Sequence, residues 1–417
     1  MTSVFANHNP ASATAADLTA QQITLVKSTI PLLQSAGVAV TAHFYQRLFE
    51  HHPELQHVFN MSNQHNGRQQ FALFSAIAAF ACHIDDLGQL QAMLERVANK
   101  HTSFFIQPAH YAIVGRHLIA TLEELAPAAF SPAIADAWRA AYQRLASLMI
   151  EREQALYQQK QQAQGGWHGS RPFQVIAKTM ESALVCSFIL KPLDGQPVLA
   201  YQPGQYIGIR LQPSQSDHQA IRQYSLSDRS NGHSYRISVK RERLPQPGLV
   251  SNFLHDEVDI GTVVDVFPPA GDFVLQSTPQ PTVLISAGVG ITPMMAMLET
   301  LAASGHNPPV WFLHACEEQA QHSFAARLSE LVRQQDNLCS LHWYRHCGGV
   351  TLPRQRGFDG LMQLESIAAE LPLASGQFYL CGPQAFMQAQ YQQLRKLSVP
   401  ANRIHYELFG PHSELSA

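Results

Sequence analysis

Arg222-Gln223-Tyr224-Ser225 places a guanidinium, a phenol ring and a hydroxyl within four residues. A cation that grips phosphate, an aromatic face for a flat ring and a hydroxyl for a ring nitrogen are what a β-barrel needs to hold a flavin. Taken alone, the stretch is better described as a half-buried edge strand with alternating faces. It is read together with Gly204-Gln205-Tyr206 upstream and the tail Glu407-Leu408-Phe409-Gly410-Pro411. A second candidate is Ala287-Gly288-Val289-Gly290-Ile291-Thr292-Pro293, which follows the apolar run Pro281 to Ser286 and leads into Met294-Met295-Ala296. Its glycines let backbone approach phosphate, and proline suits a first helical turn. It lacks the full dinucleotide fingerprint, so a plain strand-to-helix turn stands beside the phosphate reading. A third set is Tyr45, His101 and Glu153, polar groups on otherwise apolar helical stripes. A carboxylate buried without a partner costs several kcal/mol, so Glu153 is expected to be paired, neutral or functional.

The elements that must position these groups differ along the chain. At about 150 residues per domain, 417 residues suggest roughly three domains. From Leu18 to Tyr157 the periodicity is helical, with stripes Val38, Ala42, Tyr45, Phe49; Phe71, Phe74, Ala78, Ala81; Leu90, Leu94, Val97, His101; Tyr111, Val114, Leu118, Leu122; and Tyr142, Leu145, Met149, Glu153. The polar run Gln158 to Gly166 reads as a linker. Beyond it, Phe173–Ala177, Leu184–Leu190, Tyr206–Leu211 and Tyr235–Lys240 are short β-rich runs separated by turn residues, the pattern of a small antiparallel barrel. Gly248-Leu249-Val250-Ser251-Asn252 opens a short helix whose amides face phosphate or merely cap a turn. The last third alternates strand and helix. Val310–Ala315 and Gln377–Cys381, the latter followed by Gly382-Pro383, imply a doubly wound sheet binding its ligand at the carboxyl edge. The expected architecture is multidomain: a tail over 1–16, an all-α domain over 17–157, a linker over 158–169, an antiparallel β-barrel over 170–278 and an α/β doubly wound domain over 279–417.

Charged residues make up 14% of the chain and the net charge is -3, which leaves no nucleic-acid footprint and points to small-molecule partners. Six cysteines without a Cys-x-x-Cys pair read as free thiols in a reducing cytosol. The first sixteen residues have no basic or apolar signal region, and no run reaches the roughly 20 apolar residues of a membrane helix.

The helical part resembles the globin of the flavohaemoglobins, on Thr41-Ala42-His43-Phe44-Tyr45, Asn60-Met61-Ser62-Asn63-Gln64, Lys100-His101-Thr102-Ser103-Phe104 and Arg152-Glu153. The resemblance implies haem b with His101 as proximal iron ligand, Phe59 packed on the haem, Tyr45 and Gln69 on the distal side, and Tyr111 with Glu153 tuning the imidazole. The remainder is similar to ferredoxin-reductase-like flavoproteins. That implies Arg222 at the FAD pyrophosphate, Gln223 within the same strand, Tyr224 on the isoalloxazine, Ser225 at its N5 edge and Tyr206 enclosing the nucleotide. It also implies an NAD(P)H site at Gly288, Val289, Gly290, Ile291, Thr292 and Pro293. Leu408, Phe409, Gly410 and Pro411 would border the flavin, with Phe409 shielding the face used by nicotinamide. Ile291 stands where the family commonly has Gln, and Leu408 where many members have Cys; backbone contacts are expected to survive the first change. Cys381 is expected to pack and position rather than act as a nucleophile.

What the resemblance implies is a cytoplasmic, monomeric nitric oxide dioxygenase. Electrons pass from NAD(P)H through FAD to haem, and nitric oxide and O2 become nitrate. Two alternatives share these cofactors: an oxygen-binding or redox-sensing globin with its own reductase, and a general NAD(P)H-dependent reductase of haem-bound peroxides. Between NADH and NADPH the residues leave the choice open, with Arg345 suited to a 2′-phosphate and Glu317 and Glu318 to a bare ribose.

Overall fold

The computed structural model describes residues 18–59, 68–243, 246–345, 351–352, 354–410 and 415, without the side chains of 34–39, 68–72, 74 and 351–352. The expected tail 1–16, Cys347 and Pro411 lie outside the described residues. The chain packs as two compact units, Met1–His52 with Leu73–Ala98 and Gln107–Ala155, and Pro53–Ala72 with Asn99–Ile106 and Leu156–Ala417.

The first unit is helical. Its elements belong to α1 (Ala20–Ser28), α2 (Ile30–His51), α3 (Arg68–Cys82), α4 (Gln91–Thr102), α5 (Pro108–Leu125) and α6 (Pro132–Gln162). α1 starts at a capping box in which Thr19 and Gln22 satisfy each other's backbone N–H. Trp138 is fully buried and its indole N–H donates to the Thr29 hydroxyl at 3.0 Å. On α6 the buried line runs Ala146, Met149, Glu153, at the expected helical spacing. On α2 the expected stripe is partly displaced: Ala42 is exposed, and Leu33, Val40, Thr41, Phe44, Tyr45 and Leu48 are buried. α6 continues to Gln162, five residues into the run expected to be a linker. Gln, Lys and Ala are good helix formers, so polarity alone does not end a helix. Gly165, at φ 73, and Gly166 follow it.

The second unit carries two sheets. The first has six strands in the order β4-β3-β6-β1-β2-β5, all pairs antiparallel. They are β1 (Arg171–Met180), β2 (Val185–Pro192), β3 (Tyr206–Leu211), β4 (Ala220–Ser225), β5 (Tyr235–Lys240) and β6 (Val263–Val266). A bridge from Leu226 to Ile237 joins the two outer strands, closing the sheet as a barrel around Phe173, Phe188, Ile207, Tyr235 and Val266.

The second sheet has the order β10-β11-β9-β8-β7-β12-β13. Its strands are β7 (Thr282–Ala287), β8 (Val310–Cys316), β9 (Leu338–Tyr344), β10 (Thr351–Leu352), β11 (Gln355–Asp359), β12 (Gln377–Cys381) and β13 (Ile404–Glu407). All of its pairs are parallel except β10 with β11. β7 is buried at every position, as a central strand covered on both faces must be. α8 (Ile291–Ala303) follows β7, α9 (Ala325–Gln334) precedes β9 and α10 (Gln384–Lys396) follows β12. The expected fold class, a helical domain followed by an antiparallel barrel and a doubly wound sheet, is what the chain adopts. Among the described residues no helix is long and apolar enough to cross a membrane.

Candidate functional site

In the first unit Tyr45 is 3% exposed and lies between Phe44, edge-on at 5.0 Å, and Phe49, stacked at 5.8 Å. Burial pushes its phenol pKa well up, so the hydroxyl stays protonated and able to donate. Glu153 is 2% exposed, and its Oε1 accepts a hydrogen bond from the Tyr111 hydroxyl at 2.5 Å. The buried carboxyl group thus has a hydrogen-bond partner. The pair is fixed from behind: the Tyr142 hydroxyl donates to the Tyr111 carbonyl at 2.9 Å. The Tyr142 ring in turn occupies the space beside Gly115, where a Cβ would come within 2.3 Å of it.

Gln69 belongs to the first turn of α3, in the second unit, and its side chain is outside the described residues. His101, also in the second unit, is half-buried in the last turn of α4. Its carbonyl accepts from the backbone N–H of Phe104 and of Ile106, closing the helix end. An imidazole on a helix is an ordinary axial group for haem iron, so the donor chemistry of His101 fits that cofactor.

The segment after His101 meets the barrel within the second unit. The Gln223 amide donates to the Ser103 hydroxyl, and the Lys100 ammonium donates to the Gly410 carbonyl at 2.9 Å. Burial pulls the Lys100 pKa down, and Glu407 opposes that shift. The Tyr206 phenol is pushed well up, first by burial and then by the charges of Glu407 and Asp272. Sequence reasoning did not single out Lys100, Ser103 or Glu407 as functional. A signal existed in Gly208, an interior strand glycine, which marks a close backbone approach. A Cβ there would lie 2.1 Å from the Ser103 carbonyl oxygen.

On the barrel, antiparallel pairing sets Ser225 opposite Tyr206, Tyr224 opposite Ile207 and Arg222 opposite Ile209. Burial lowers the Arg222 pKa and raises that of Tyr224, and the neighbouring guanidinium partly reverses the second shift. A cation held where burial disfavours it suits an anionic phosphate, so this strand pair fits a flavin nucleotide. The helix α7 (Leu249–Asp256) spends its first side chains locally: Ser251 donates to the Gly248 carbonyl, and the Asn252 amide donates to the carbonyls of Glu242 and Gly248. These bonds fix the turn that enters the helix, and Gly248 at its N-cap supplies no side-chain cap to the first amides.

At the carboxyl end of β7, Gly288 adopts φ 53 and opens a short 3-10 turn to Gly290. A Cβ on Gly290 would lie 2.2 Å from the Cys381 carbonyl oxygen, so only glycine lets the turn press against the end of β12. A Cβ on Gly288 would meet nothing within 4 Å, which leaves the outer face of the turn open. Val289 is half-buried, whereas Ile291, Thr292 and Pro293 are buried, and the Thr292 hydroxyl donates to the Val289 carbonyl at 3.0 Å. Ile291 is therefore spent on packing, and its backbone N–H closes the turn on the Gly288 and Val289 carbonyls. Cys381 is fully buried and burial holds its thiol well above the ordinary range, as a packing residue requires. Leu408 is buried in the core of this sheet, whereas Phe409 is 45% exposed and Gly410 follows it at φ 148.

Comparison with known proteins agrees with this fold. The Globin model matches residues 42–149, the Oxidoreductase FAD-binding domain residues 172–275 and the Oxidoreductase NAD-binding domain residues 284–392. A flavohemoprotein of Vibrio cholerae serotype O1 is 53% identical over 404 residues, spanning 96% of this chain and 100% of that one. A crystal structure of flavohemoglobin from Malassezia yamatoensis, with FAD and haem bound, superposes with a TM-score of 0.83 at 27% identity, covering 95% of this chain and 100% of its own. The flavohem-like FAD/NAD binding domain of nitric oxide dioxygenase from Vibrio cholerae O1 biovar El Tor is 49% identical with a TM-score of 0.53, covering 58% of this chain and 99% of that one. The chain is an oxidoreductase built for haem, FAD and a nicotinamide nucleotide, and it belongs to the flavohemoprotein family.

Proposed function

We propose that this chain is a nitric oxide dioxygenase, forming nitrate from nitric oxide and O2 with electrons from NAD(P)H, and that it works in the cytoplasm as a monomer. When bound, the cofactors would supply the hard chemistry, FAD the splitting of a two-electron donor into single electrons and haem an iron for O2. The protein's part is to bind, orient and polarise. Arg222 neutralises the flavin pyrophosphate, Tyr224 and Tyr206 enclose the ring and nucleotide, and Ser225 offers a hydroxyl to the N5 edge. Gln223 anchors Ser103. The turn from Gly288 through Val289, Gly290, Ile291 and Thr292 to Pro293 seats the second nucleotide with its amides. Leu408 and Gly410 flank Phe409, whose exposed ring can cover the flavin. His101 is the iron ligand, and Tyr45 with Gln69 stabilises negative charge on the oxygen side.

The observation that carries the reading is the 2.5 Å bond from Tyr111 to the buried Glu153 carboxylate. A phenol and carboxylate kept together out of water suit a device that strengthens a ligand's donor power, which reaction needs and reversible storage does not. A relative of the reductase half that is 49% identical bears the name nitric oxide dioxygenase, and this supports the substrate. The test is nitrate formation by the holoprotein with NADH and nitric oxide under air. One nitrate per nitric oxide consumed is expected. Nitric oxide left unreacted, or nitrate only in trace, would overturn the proposal in favour of an oxygen-binding or peroxide-reducing role.

A further inference from the structure

We propose that Glu317 selects the dinucleotide, by presenting a carboxylate to an unphosphorylated adenosine ribose and by holding Arg345 away from a 2′-phosphate. This rests on reading the turn from Gly288 to Pro293 as the pyrophosphate seat. The sheet gives such a ligand a direction. On one side of β7 lie β12 and β13, which lead to Phe409 and so to the flavin end. The nicotinamide must go that way, and the adenosine therefore crosses the end of β8 on the other side.

Two charged residues of opposite sign wait there. Cys316 and Tyr344 are register partners at the ends of β8 and β9, so Glu317 and Arg345 follow on adjacent strands. Arg345 Nε lies 3.0 Å from Glu317 Oε2, and the two side chains are 51% and 54% exposed, open to a ligand. Their backbones are held by a bond from Arg345 N–H to the Cys316 carbonyl at 3.2 Å. Tyr344 is further tied to His322 Nδ1 at 2.7 Å. An exposed pair of this kind adds little to stability. Its consequence is for binding. A 2′-phosphate, with about two negative charges, would meet in Arg345 a cation already neutralised by Glu317 and would lie beside a second carboxylate, Glu318, which is exposed next in sequence. A ribose 2′-hydroxyl can instead donate to Glu317 with the ion pair intact.

The experiment is equilibrium titration of NAD+ and NADP+ into the haem- and FAD-loaded protein, followed by calorimetry, for the parent, Glu317→Gln, and Glu317→Gln combined with Arg345→Gln. The parent is expected to bind NAD+ at least about tenfold more tightly than NADP+, the order of one charge-assisted contact. Glu317→Gln should bring the ratio to about one or below by tightening NADP+. The added Arg345→Gln should remove that gain. A ratio unchanged by Glu317→Gln, a parent that prefers NADP+, or a gain that survives without Arg345 would overturn the proposal. Undiminished binding of both dinucleotides by Gly290→Val would overturn the placement of the pyrophosphate itself, a failure distinct from that of the ratio.

Discussion

The backbone of Ser103 comes so close to Gly208 that a single added carbon on the glycine would lie 2.1 Å from the serine carbonyl oxygen. The obstacle is backbone, which cannot swing aside as a flexible side chain does. Gly208→Ala is therefore expected to lower unfolding stability by about 1–3 kcal/mol through overpacking. Ser103→Ala keeps the carbonyl and loses only the hydroxyl that Gln223 meets, so its cost should be nearer about 1 kcal/mol. Urea midpoints of the two variants check this; a Gly208→Ala protein as stable as its parent would disprove the contact.

Removing the Tyr111 hydroxyl leaves the Glu153 carboxylate buried with its 2.5 Å donor gone. Tyr111→Phe should cost about 1–3 kcal/mol, the loss of one buried hydrogen bond to a carboxyl oxygen, and Glu153→Gln less, since an amide oxygen still accepts from the phenol. If the pair also tunes the iron ligand, Glu153→Ala should lower the iron–histidine stretching frequency. A fall in stability with an unmoved frequency would make the pair structural only.

These two contacts divide what could be read in the residues from what could not. Glu153 was legible because a carboxylate at helical spacing with Met149 has few ways to be inside. The strands around Arg222 and the turn at Gly288 were legible from local pattern and glycine chemistry. The phase of α2 was read less well, because alanine at position 42 is compatible with either face and the buried band also takes in Thr41 and Phe44. Ser103, Lys100 and Glu407 were missed since each is ordinary in its own stretch. Their meaning comes from partners far along the chain, and only Gly208 carried a local trace of it.

Three imidazoles are buried together, His314 and His342 on the second sheet and His322 beside it: His314 and His322 at 5.0 Å between ring centroids, and His322 and His342 at 4.5 Å. Each has one ring nitrogen on a hydroxyl, of Ser286, Tyr344 and Ser340 respectively. Burial lowers His314 to about 3 and His342 to about 4, and drives His322 well below its usual value, with mutual repulsion adding for His314 and His322. The folded chain thus keeps them neutral while the unfolded chain protonates them near pH 6.5. Their contribution stands in full above about pH 6.5 and is lost as pH falls toward the folded values. Each can cost at most about 2 kcal/mol between pH 6.5 and 5. His342→Leu should therefore lose less stability than the parent between about pH 7.5 and 5.5. Equal losses would show that the cluster does not govern acid unfolding.

Lys160 gives a slope on the other side of neutrality. Its ammonium donates to the Thr102 hydroxyl at 2.8 Å, and burial lowers its pKa from 10.5 to about 7. Between those two values the unfolded chain carries the extra proton, so stability rises with pH across that window and the full penalty stands below it. Lys160→Met keeps the packing of the stem and removes the titration. The variant should equal or exceed the parent near pH 7 and gain less than the parent on going to about pH 9.5. Urea midpoints at the two pH values decide it: parallel rises in both proteins would mean that Lys160 is solvated in the native state and that Thr102 is not its anchor.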